Sequence, residues 1–92
     1  MHSFAMPRRS PQADIPHQAL GQAIRQARMS QQLTQEELAL QTGFHSTQIS
    51  SLERGHRNPT FGAMRQVSQG LGIPLWQLVQ LAEEIEAAED DL

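Results

Sequence analysis

LTQEELALQTGFHSTQISSLERG, residues 33–55, holds two short apolar patterns separated by a glycine. Thr34-Gln35-Glu36-Glu37 has the form of a capping box. The Thr34 hydroxyl can accept from the Glu37 amide, and the Glu37 side chain can reach back to the cap. Leu38 and Ala39 then face inward. Gly43 stops the helix, because glycine takes the left-handed conformation that a C-terminal cap needs. A second helix follows after a few residues, with Phe44 packing just before it, Ile49 and Leu52 as its apolar positions and Gly55 at its end. Ala39 supplies the small side chain that lets the two helices approach. The segment therefore predicts two short helices joined by a tight turn.

The outward face of the second helix follows from geometry. At about 100° per residue, Ile49, Leu52 and Glu53 cluster on one side. The opposite side carries Thr47, Ser51 and Arg54, with Gln48 and Ser50 flanking that stripe and Ser46 at the helix start. Hydroxyls, an amide and a guanidinium are groups that read base edges and phosphates. An ordinary surface helix carries a Glu/Lys mixture, which is absent here.

Working outward, Leu20, Ile24 and Ala27 recur at helical spacing and predict a helix from Pro16 to about Gln31. Asn58-Pro59 marks a turn. Thr60 is placed to cap a fourth helix, with Phe61, Met64, Val67 and Leu71 as its buried stripe and Gly72 as its end. Pro74 opens a fifth helix with Leu75, Leu78, Val79, Ala82 and Ile85 on one side. No strand pattern occurs. The expected fold is all-α, a compact five-helix bundle. The expected organisation is a disordered arm over 1–15, the bundle over 16–82, and an acidic extension of the fifth helix with a tail over 83–92.

The 92 residues suffice for one domain with a modest core. Cysteine is absent, so disulfides and thiolate zinc sites are excluded. His2, His17, His45 and His56 show no metal-ligand spacing, and no metal or cofactor is expected. No apolar run approaches the ~18 residues of a membrane span, and no secretory signal is evident. A cytoplasmic location is expected. The formal net charge is -3, but six of the ten acids fall at or after Glu83. Before Glu83, seven Arg face four acids. The body is mildly basic, and salt screens a distant acidic stretch beyond roughly 10 Å. Glu36, Glu37, His45 and Ser46 do not converge as nucleophile, base and orienter, so no enzymatic activity is expected.

Leu33 to Ala39, Gly43, Ile49 to Gly55 and Asn58-Pro59, in this order and spacing, resemble the lambda-repressor/Cro-like (XRE) helix-turn-helix family. The resemblance runs from about Leu20 to Val79. It implies a five-helix DNA-binding domain and a sequence-specific transcriptional regulator, with double-stranded DNA as partner. It also implies residue roles. Gln35 resembles the glutamine that meets a DNA phosphate and packs toward the recognition helix. Ser46, Thr47 and Ser51 match base-reading positions, and Gln48 beside them is counted among the expected base readers. Arg54, His56, Arg57 and Asn58 lie where relatives meet the phosphate backbone, with Ser50 near them. Arg28 and Glu53 match an ion pair between the first and third helices. The sequence departs from the pattern at His45, where relatives often carry a Ser or Thr cap, so either His45 or Ser46 caps the third helix.

Relatives of this type bind two half-sites about 34 Å apart as two-fold dimers. The fifth helix is the expected interface, through Trp76, Leu78, Leu81, Ala82 and Ile85. The expected activity is repression at a pseudo-palindromic operator. Two variants of this reading use the same fold: an antitoxin, with a small toxin protein as partner, and a restriction–modification controller protein.

Overall fold

The computed structural model describes residues 16–90. Five helices follow one another: α1 (Pro16–Ser30), α2 (Gln35–Thr42), α3 (Ser46–Glu53), α4 (Phe61–Leu71) and α5 (Leu75–Asp90). No strand occurs among the described residues. The all-α five-helix architecture is as the apolar periodicity predicts. The expected arm over 1–15 lies outside the described residues. No helix among the described residues is long and apolar enough to cross a membrane.

Each helix sends one large, fully buried side chain to a common centre: Ile24, Leu38, Ile49, Val67 and Leu78. Burying each stabilises the fold by about 1.5–3 kcal/mol. Ala23, Ala27, Ala39, Leu52, Met64 and Leu71 complete the core. The broadest contact in the bundle is between α1 and α5. α3 lies on α1 and α2, so its orientation is set by two neighbours.

The predicted punctuation is present. The Thr34 hydroxyl accepts from the Glu37 N–H at 3.0 Å, and the Glu37 carboxylate accepts from the Thr34 N–H at 2.8 Å. Gly43 ends α2 at φ 81, a left-handed conformation, and its N–H donates to the Ala39 carbonyl at 2.9 Å. Any side chain there would be strained. The Thr42 hydroxyl, buried in the turn, donates to Leu38 and Ala39 carbonyls and accepts from the Phe44 N–H. α1 stops at Ser30, a residue earlier than expected, because Gln32 takes φ 60 and the Leu33 N–H returns to the Arg28 carbonyl at 3.1 Å.

Two stripe predictions need correction. Phe61, expected in the buried stripe of α4, is 70% exposed. It shares a helical rail with Ser68 two turns later, and Ser68 is buried. At the first residue of α4, nothing covers that rail. Val79, expected on the packed side of α5, is 41% exposed. Leu78 alone takes the central place.

Candidate nucleic-acid interface

α2 and α3 present the outward polar face that the sequence predicts. Ile49, Leu52 and Glu53 of α3 are buried, while Thr47 and Arg54 are exposed and Ser46, Ser50 and Ser51 are half-buried. His56, Arg57 and Asn58 follow in the loop to α4, all exposed. Hydroxyls thus line one side of a short helix, with two guanidiniums at its end. Among the described residues, neither Arg54 nor Arg57 has a carboxylate partner. Their charge is directed to solvent, where a phosphate would meet it.

His45, in extended conformation, precedes the first residue of α3. Its N–H donates to Gln48 Oε1 at 2.8 Å. His45 therefore takes the cap position, and Ser46 is the first residue of α3, not its cap. Gln48 is thereby turned back along its own helix, and it borders a hollow that Phe44, Leu52, Asn58 and Pro59 help to line.

A polar network beneath this face holds α3 in place. Arg28 Nε donates to Glu53 Oε2 at 2.6 Å, and Arg28 Nη2 to Glu53 Oε1 at 3.0 Å. Gln35 Nε2 donates to the same Oε1 at 3.0 Å. The remaining Arg28 fork nitrogen reaches the Leu33 carbonyl at 2.7 Å. The hydrogen bond to Glu53 pushes the Arg28 pKa further above its ordinary range, burial opposes this, and the charge of Glu53 adds to it. The guanidinium is therefore charged throughout. A buried carboxylate would be costly without such partners. Gln35 does pack toward the recognition helix, and this bond engages one of its amide hydrogens.

Two residues that matter for the site escaped the sequence reading. A side chain at Gly21 would collide with the carbonyls of Leu52 and Glu53. The end of α3 therefore rests against the bare backbone of α1. The signal was available, since a glycine inside a helix costs about 1 kcal/mol against alanine. Thr42 is the other. Its role in the turn is carried by one hydroxyl, which leaves no periodic trace.

α5 distributes the expected interface residues unevenly. Leu78, expected at an interface, is fully buried in the core and cannot meet a partner. Leu81, Ala82 and Ile85 are half-buried against the core cluster, because α5 lies along α1 and spends them on that contact. Trp76 is 66% exposed. One turn further along α5, Val79 lines a groove of about 240 Å³ with Leu20, Met64 and Ala82, rimmed by Glu83 and Glu86.

Comparison with known proteins agrees with this geometry. A family model described as helix-turn-helix matches residues 24–75. An HTH-type transcriptional regulator, y4dJ of Sinorhizobium fredii, is 38% identical over 65 residues, covering 71% of this chain and 84% of that protein. The control protein C.BamHI of Bacillus amyloliquefaciens is 41% identical over 54 residues, covering 58% of this chain and 67% of that protein. The crystal structure of the restriction–modification controller protein C.AhdI of Aeromonas hydrophila superposes with a TM-score of 0.65 at 30% identity, over 66% of this chain and 92% of that one.

Proposed function

The chain belongs to the helix-turn-helix family of DNA-binding transcriptional regulators, and from that premise we propose that it is a repressor that binds a pseudo-palindromic operator as a dimer. α3 enters the major groove of each half-site. Ser46, Thr47 and Ser51 face the bases, and Ser50, Arg54, His56, Arg57, Asn58 and Gln35 meet the backbone. The observation that carries the reading is the outward stripe of Thr47, Ser51 and Arg54, exposed at Thr47 and Arg54 and half-buried at Ser51, on a helix whose other side is locked to the bundle. Free amides at the N-terminus of α2 favour a phosphate beside Gln35. Repression follows from occupancy, since a bound dimer excludes other proteins from the same duplex.

The dimer reading draws on α5. Exposed Val79 lines the apolar groove with Leu20, Met64 and Ala82, and exposed Trp76 lies one turn before it on α5. A contiguous apolar patch rimmed by carboxylates is a common form of protein interface. Its expected membership is therefore Trp76 and Ala82 with Val79 added.

Random-sequence duplex selection followed by salt titration tests the proposal. The expected result is a two-fold symmetric site and a steep fall of affinity with salt. Absence of any enriched sequence would overturn it. The likeness to the restriction–modification controller protein C.AhdI favours a narrower second reading, control of a restriction–modification system. A restriction endonuclease gene beside this one would support it. A toxin partner draws no such support from the relatives named above.

A further inference from the structure

We infer that Thr47 is the residue by which α3 selects a base, that it does so through its methyl group on a thymine, and that Gln48 positions the helix start instead of reading the groove. The inference rests on the DNA-binding reading above. Besides Asn58, which lies beyond α3 in the loop to α4, two amide side chains lie near the face, and an amide reads adenine by presenting its oxygen and nitrogen together to the base edge. Each already makes a hydrogen bond within the protein. Gln35 Nε2 is bonded to Glu53. Gln48 Oε1 accepts from the His45 N–H at 2.8 Å, and Gln48 lies about 100° around the helix from Thr47. Turning Gln48 toward a base would take that bond from the first turn of α3.

What remains on the outward stripe is hydroxyl chemistry and one methyl. The hydroxyls of Ser46, Ser50 and Ser51 both donate and accept, so they suit several base edges without choosing among them. Arg54 follows α3 at its far end, whereas the N-terminal residues of a recognition helix meet the bases. Thr47 is the second residue of α3 and is exposed. Its methyl is the one apolar group there, and the thymine methyl is the apolar group that the major groove offers. α3 thus reads little beyond one thymine in each half-site, and the spacing of two half-sites supplies the rest of the specificity.

The test uses the selected duplex with each thymine replaced in turn by deoxyuridine, which pairs alike but lacks the methyl. Binding is measured for the wild type, Thr47→Ser and Gln48→Ala. The wild type should lose about fourfold in affinity at one position per half-site. Thr47→Ser keeps the hydroxyl on an exposed position and should be indifferent to that replacement. Gln48→Ala should keep the thymine sensitivity and every other base preference. A wild type indifferent to all replacements, a Thr47→Ser protein that remains sensitive, or a Gln48→Ala protein that loses an adenine preference would each overturn the assignment alone. Failure to select any duplex would overturn the DNA-binding reading, and this assignment with it.

Discussion

Arg28 of α1 grips both carboxylate oxygens of Glu53 at the end of α3, at 2.6 and 3.0 Å. A planar fork meeting a carboxylate in this way fixes orientation as well as distance. The same guanidinium holds the Leu33 carbonyl at the entry to α2, and Gln35 on α2 completes the set. Both helices of the candidate interface are thereby indexed to α1 through one side chain.

Arg28→Ala leaves Glu53 buried with Gln35 as its remaining side-chain partner. The expected loss is about 3 kcal/mol of stability, read by urea unfolding. Replacing both residues by methionine should recover most of it. The raised pKa of Arg28 sets the sign of any pH dependence. Its contribution is complete below the ordinary arginine range and is lost only as pH climbs through the higher folded value. The Arg28→Ala deficit should therefore be equal at about pH 6 and about pH 9. A deficit that differs between the two would show that another titrating group controls the pair.

Gly21→Ala sets two effects against each other. Helix propensity favours alanine by about 1 kcal/mol. Collision with the Leu52 and Glu53 carbonyls forces a backbone shift, which costs about 1–3 kcal/mol. The obstacle is backbone and cannot swing aside, so a net loss of stability is expected, with weaker DNA binding because α3 must move. A stabilised variant would mean that α1 and α3 separate easily.

Arg57→Ala should weaken binding to all duplexes alike and lower the salt slope by about one. The residue is exposed and lacks a carboxylate partner among the described residues, so its thermal midpoint should hardly change. Competition between selected and random duplexes at several salt concentrations reads both effects. A change in base preference would place Arg57 at a base edge instead.

Trp76 and Leu78 should separate association from folding. Trp76→Ser, at an exposed position, is expected to weaken the dimer in sedimentation equilibrium with little loss of monomer stability. Leu78→Ala is expected to cost about 2–5 kcal/mol in unfolding, because it opens a cavity at the centre of the core. If Trp76→Ser left the association unchanged, the α5 groove would not be the interface.

The helix count, the capping box at Thr34 and the stop at Gly43 were legible because each depends on neighbours within a few residues. The outward stripe of α3 was legible for the same reason, since helical period alone puts Thr47 opposite Ile49 and Leu52. Phe61, Val79 and Leu78 were misplaced because period gives a direction around a helix but not where the neighbouring helix stops. Gln48 counted as a base reader on its chemistry, and its bond to the His45 N–H became visible only with the rotamer.

From sequence alone came the five helices, their starts to within a residue or so, and the identity of the polar face, all of them consequences of local backbone geometry and apolar spacing. Tertiary structure alone decided that α1 must be bare at Gly21, that the Arg28 guanidinium, already expected to pair with Glu53, also holds the Leu33 carbonyl, and which apolar groups of α5 remain outside. Those outcomes depend on how closely whole helices can approach one another, and packing of that kind leaves no periodic mark on the chain.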